Sequence, residues 1–231
     1  KNMRSITKYL TELSFIKKVP LRLYLKNYIL PIYNNFDKGH DQRHAVEVAN
    51  FCVLLSKKLN NVDPDVAYCV GLMHDVGLKN NRDFHHIESG KYIRDSNFLK
   101  MIFSKEQIKL IKEAVEDHRA SNKKPPRNIY GKIVSDSDRS DGLDIDIFIR
   151  RCWGYRESWQ KTMSDVEIFN DIFGYLPIWI KKVKFILPET KELLKNKFNE
   201  LKKYSKNKKL FYNICKQMRK DGVLKRTYDN D

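Results

Sequence analysis

The chain has 231 residues, of which 41% are hydrophobic and 12% aromatic, so it has the material for a packed core and is not a disordered tail. No apolar run approaches the roughly 18–20 residues that span a bilayer, and the N-terminal stretch KNMRSITKYL lacks the pattern of a secretory signal. The net charge is +16, but residues 1–36 hold +6 of it, residues 181–231 hold +10, and 37–180 are neutral, which describes a neutral core with basic ends rather than a uniformly basic domain. Such ends suit solvated terminal helices or contact with a polyanion. Cys52, Cys69, Cys152 and Cys215 show no CxxC spacing and read as buried, reduced thiols of a cytoplasmic protein.

The pattern is helical nearly throughout, with 9 Gly and 7 Pro to break it and no sustained alternation for a sheet. Pro20 opens an aromatic-rich helix through Leu21, Tyr24, Leu25, Tyr28 and Ile29, which Pro31 kinks or ends. Tyr24, Tyr28 and Tyr33 suit a core, with base stacking the alternative. A helix from about Asp41 to Leu59 carries Ala45, Val48, Cys52, Leu55 and Leu59 on one stripe. Asp63-Pro64 caps the next helix, which runs through Val66, Val70 and His74 and stops near Gly77. Residues 78–86 read as loop and Ile87 to Arg94 as a short helix. Ser104 and Gln107 form a capping box that opens a helix to His118. Further helices are expected at 129–139, 143–160, 164–185 (broken near Gly174 and Pro177), 189–204 and 207–220. The expected fold class is all-α. No linker defines a second domain, so 1–231 reads as one domain.

All six histidines lie between positions 40 and 118, inside the neutral core. His44, His74 and His118 each extend an apolar helical stripe, and Asp138 stands one turn after Val134. Buried polar groups need partners, and several at the ends of different core-facing stripes can converge on one cation. Imidazole with carboxylate is the ligand set of Zn, Mn, Fe or Co in hydrolases. His74 and Asp75 are neighbours, and on a continuous helix they would point about 100° apart. Both reach one ion only where the helix ends, which Gly77 allows.

The order His44, His74-Asp75, Asp138 resembles the H…HD…D signature of the HD-domain metal-dependent phosphohydrolases. The segments 39–49 (GHDQRHAVEVA), 71–77 (GLMHDVG) and 133–141 (IVSDSDRSD) resemble the family's ligand-bearing stretches. His86-Ile87-Glu88-Ser89-Gly90 and Ala114-Val115-Glu116-Asp117-His118 resemble the segments that carry extra ligands in two-metal members. The dipeptide alone is common; the five-part order over 37–142 carries the resemblance. Leu78 stands where many members have Lys, no Gly-Tyr-Pro follows His118, and no Glu-Asp follows the HD pair.

The resemblance implies an HD-domain helical bundle at 37–142 with helical flanks at 1–36 and 143–231 packed on it. It implies a divalent ion (Mn, Fe, Ni, Co, Zn or Mg) on His44, His74, Asp75 and Asp138. His86 and His118 are then either ligands of a second ion or donors to substrate phosphate. His86 is preferred to its neighbour His85 because the segment after it matches better, and donors beside one tightly held ion are the preferred arrangement. Asp75, His86 and His118 are the expected catalytic groups, with Arg43, Lys79, Arg139 and His40 as substrate contacts. The expected substrate is a phosphorylated small molecule, a nucleotide phosphoester. The alternative is a nucleic acid held by the basic flanks.

Overall fold

The computed structural model describes residues 18–37, 39–119, 121–159 and 162–226. Among them all regular structure is helical and no strand occurs, as the sequence pattern requires. They fall into two compact units, one of the described residues in 1–36 and 40–140, the other of those in 37–39 and 141–231.

The first unit opens with α1 (Val19–Tyr24), which passes into a π-helical turn at Leu25–Ile29 and a 3-10 turn at Leu30–Asn35. The expected kink is this change of helix type: Pro31 has no N–H to give and its ring crowds the carbonyl one turn back, so the α-helical ladder stops ahead of it. Tyr33 is 1% exposed and donates its hydroxyl to Leu72 O at 2.6 Å, so it belongs to the core. Tyr24 is stacked between Tyr28 and Phe98, with ring centroids 5.8 and 4.2 Å away.

Helix α2 (Gln42–Ser56) starts at Asp41, whose side chain accepts from His44 N, and α3 (Pro64–Met73) starts at Asp63, whose side chain accepts from Asp65 N. These caps satisfy N–H groups that a helix start leaves open. Helix α3 is buried along its whole length from Asp65 to Met73. It lies tight on α2 because a Cβ at Gly71 would sit 2.6 Å from Ala49 Cα. A 3-10 turn (Val76–Lys79) leads to α4 (His85–Asp95), which begins two residues before the expected Ile87.

A short α5 (Asn97–Ile102), capped by Ser96, was not anticipated; its six residues are too few to show a period. Helix α6 (Lys105–Asp117) has the capping box of Ser104 and Gln107, with both bonds made. Helix α7 (Ile129–Ser140) completes the unit by packing against α2, α3 and α6.

The second unit contains a 3-10 turn (Asp141–Leu143), α8 (Ile145–Trp159), α9 (Asp165–Lys182), α10 (Pro188–Lys206) and α11 (Lys208–Lys220). The expected break in α9 does not occur, and the helix runs through Gly174 and Pro177. Its buried stripe of Ile168, Phe169, Ile172 and Leu176 provides packing that outweighs the roughly 3 kcal/mol interior cost of proline and the ~1 kcal/mol cost of glycine. No helix among the described residues is long and apolar enough to cross a membrane. All four cysteines are free thiols, three of them buried, and burial pushes Cys52, Cys69 and Cys215 up to about 12.

Candidate metal centre

Five polar side chains of the first unit meet where its helices begin or end. His44 is in the first turn of α2, His74 follows the last residue of α3, and His85 is the first residue of α4. His118 follows the last residue of α6, and Asp138 is in the last turn of α7. A sixth is Asp75, which leaves α3 with φ −106° and ψ 4°. This departure from helical geometry brings its carboxylate to the same side as the His74 ring, as two helical neighbours could not manage.

Gly77 has a different part in this from the one its spacing suggests. Its φ is not left-handed; the requirement is close approach. A Cβ there would lie 2.2 Å from His85 O and 2.5 Å from Ser89 N. Glycine lets the start of α4 rest on the turn after α3. Ser89 fastens that contact: its hydroxyl donates to His74 O at 2.7 Å and accepts from Gly77 N at 2.9 Å.

The Asp75 carboxylate divides the cluster in two. Its Oδ2 faces His74 Nε2 at 3.1 Å and His44 Nε2 at 3.7 Å. Its Oδ1 faces His85 Nε2 at 3.3 Å and His118 Nε2 at 3.5 Å. Asp138 Oδ1 adds to the first group, 3.4 Å from His44 Nε2 and 3.9 Å from His74 Nε2. Both groups, His44 with His74 and Asp75, and Asp75 with His85 and His118, have the donor spacing that could hold a metal ion.

Three of the rings are held from behind. Nδ1 of His74 lies 2.7 Å from Gly71 O, that of His118 2.6 Å from Val115 O, and that of His85 2.6 Å from Arg82 O. A carbonyl can only accept, so each Nδ1 carries a proton, and Nε2 is left as the ring atom that faces Asp75 and would ligate a cation. This backing is what metal-bound imidazoles ordinarily have. His74 Nε2 is buried without a well-directed hydrogen bond, an arrangement costly in an apolar interior unless a cation takes the lone pair. The donor set fits a divalent cation.

Burial alone would push the Asp75 carboxyl up, but the His74 charge and the imidazoles of His118, His44 and His74 around it hold it well below the usual carboxylate range. For His118, burial pulls downward, while its bond to Asp75 and that residue's charge raise it overall. For His85, burial prevails and lowers it. The surrounding imidazoles thus favour Asp75 as a carboxylate anion.

The structure brings His44, His74, Asp75, His118 and Asp138 together, as the sequence order suggests. It brings His85, not His86, to Asp75. With α4 starting at residue 85, the two rings leave the helix in different directions, and their planes meet at 72°. His86 Nδ1 is buried with no hydrogen-bond partner. Burial and then the Arg119 charge lower His86 to about 4.

The expected substrate contacts are dispersed. His40 meets His44 edge-on, with centroids 5.8 Å apart. Arg43 pairs with Glu47 one turn along α2, at 2.8 Å. Lys79 is exposed at the end of the 3-10 turn. Arg139 donates to Ser135 Oγ at 3.0 Å, and Ser135 Oγ donates in turn to His118 O at 2.9 Å, so Arg139 braces the His118 segment. Arg119 was not anticipated. It follows His118, donates to Asp83 O in the loop before α4, and its only sequence signal was that adjacency.

Residues 42–143 match the family model of the HD domain. Neither a curated protein nor a solved structure matches the chain. With its histidines and aspartates gathered at the ends of α2, α3, α6 and α7, the segment 42–143 is an HD domain.

Proposed function

We propose that the protein is a metal-dependent phosphohydrolase acting on a nucleotide phosphoester, with two divalent ions held on either side of Asp75. The observation that carries this reading is the division of the Asp75 carboxylate, one oxygen to His44 and His74, the other to His85 and His118. His44, His74, Asp75 and Asp138 would hold one ion, and Asp75, His85 and His118 the other. When bound, such ions lower the pKa of a coordinated water toward ~7 and neutralise charge on phosphoryl oxygens.

The chain's own residues do the rest. Carbonyl bonds at Nδ1 fix the His74, His85 and His118 rings and keep every Nε2 basic. Ser89 and Gly77 hold the two halves at a fixed separation. Arg119 and His86 lie beside the His85–His118 half and offer a guanidinium and an imidazole to a phosphate entering there. Arg139, Arg43, Lys79 and His40 are secondary candidates for the same task.

Metal analysis of the purified protein is the first test, followed by a panel of phosphomonoesters and phosphodiesters with added Mn or Ni. Two equivalents of metal and hydrolysis of a nucleotide ester are expected. Protein that takes up no metal from excess Mn or Ni would refute the reading.

A further inference from the structure

A second feature lies in the other unit, on α10. A cavity of about 490 Å³ opens beside this helix and the segment before it. Its rim carries Lys184, Lys191, Lys195 and Lys202, all exposed, and its walls include the half-buried rings of Phe185 and Phe198. Buried Leu194 and half-buried Val183 also line it. Among the described residues no carboxylate lines the cavity.

The arrangement follows from helical spacing. Positions 191, 195, 198 and 202 recur every three or four residues, so they share one face of α10. Lys191 and Lys202 are eleven residues apart, roughly 16 Å along the axis at 1.5 Å per residue. The Lys202 ammonium already lies over the Phe198 ring, 4.6 Å from its centroid. Three lysines on this face, with Lys184 on the segment before it, repel one another, and they are favourable only toward an anion.

We propose that this face of α10 binds single-stranded nucleic acid. The length of the lysine row exceeds one mononucleotide and suits several successive phosphates. The two phenylalanine rings sit inside the cavity, where bases can stack, as on the aromatic platforms of single-strand binders. A membrane surface would call for apolar side chains that protrude, and these are recessed. An acidic peptide would match the charge but leave the rings without planar partners. The proposal does not rest on the metal centre, so its test is run with a chelator present.

The test measures fluorescence anisotropy of a labelled 12-mer of deoxythymidine with the full chain, in EDTA at 0.1 M salt. Binding is expected to weaken with salt, by ~0.7 log unit per lysine contact per log unit of salt. The pair Lys195→Glu/Lys202→Glu removes two contacts and should lower affinity at least about tenfold at this salt. Lys209→Glu/Lys216→Glu, on exposed positions of α11 outside the cavity, makes the same charge change and should have the smaller effect. Phe198→Leu keeps the apolar volume and removes the ring. It should weaken binding about fivefold or more with the salt slope unchanged, by the usual value of base–aromatic stacking.

No binding of the 12-mer would overturn the proposal. So would equal losses from the two double variants, or an unaffected Phe198→Leu. Capture by phosphatidylserine vesicles or by polyglutamate in preference to the 12-mer would assign the face to another class of partner and overturn it equally.

Discussion

Asp75 Oδ1 lies 3.3 Å from His85 Nε2, while its Oδ2 lies 3.1 Å from His74 Nε2. One carboxylate thus belongs to two imidazole groups at once, and removing it should empty both. Asp75→Ala is expected to lower metal affinity by more than the ~10–100-fold seen for outer-sphere changes, and to abolish hydrolysis. Metal analysis after dialysis reads the first effect and the substrate panel the second. Full metal content in this variant would show that Asp75 is not a shared ligand.

His85 and His86 provide the sharpest separation. If His85 is a ligand, His85→Ala takes the metal content from two equivalents to one, because His118 and Asp75 alone hold an ion weakly. His86→Ala should retain two equivalents and lose catalytic rate, since its ring lies outside the Asp75 group. The reverse pattern would restore His86 as the ligand. Circular dichroism of both variants checks that the fold survives.

Ser89 is buried, and its one hydroxyl serves both His74 O and Gly77 N. Ser89→Ala leaves a buried carbonyl and a buried N–H without that partner. A cost of about 1–3 kcal/mol is expected in urea unfolding. Weaker binding of the ion on the His85 side should accompany it, because the start of α4 is no longer tied to the end of α3. A stability loss with both metal affinities unchanged would limit Ser89 to a structural part.

Much of this site was legible in the sequence, and the limits are physical. His44, His74 and His118 were visible because each extends an apolar stripe whose burial is a matter of helical period. Capping by Asp63 and Ser104 was visible because caps are local chemistry. The choice between His85 and His86 was not, because it depends on where α4 begins. That start is set by the contact of Gly77 with His85 O and Ser89 N, between residues eight and twelve positions apart. A helix beginning at 87 leaves both rings on a loop, with nothing to choose between them; one beginning at 85 fixes both. Similarly, the continuity of α9 through Pro177 depends on packing of its buried stripe, which local propensity does not register. The cavity on α10 also escaped notice, since a row of lysines reads as a solvated face until Phe185 and Phe198 are seen beside it.

Two glycines should respond in opposite ways to the same substitution. At Gly77 an added Cβ would meet backbone atoms of α4 at 2.2 and 2.5 Å, and backbone cannot swing aside as a side-chain tip can. Gly77→Ala must therefore push α4 away from the turn after α3, at about 1–3 kcal/mol or more for overpacking. His85 moves with α4, so metal should be lost first from the half of the site that includes His85 and His118. At Gly174 nothing lies within 4 Å of the added Cβ, and the residue is exposed within α9. Gly174→Ala there only restricts the unfolded chain and improves helix propensity, so a gain of about 0.5–1 kcal/mol is expected. Urea unfolding of the two variants, with metal content measured on each, reads both signs. Unchanged stability and two retained equivalents of metal in Gly77→Ala would mean that α4 is not seated on Gly77, and that His85 owes its position to something else.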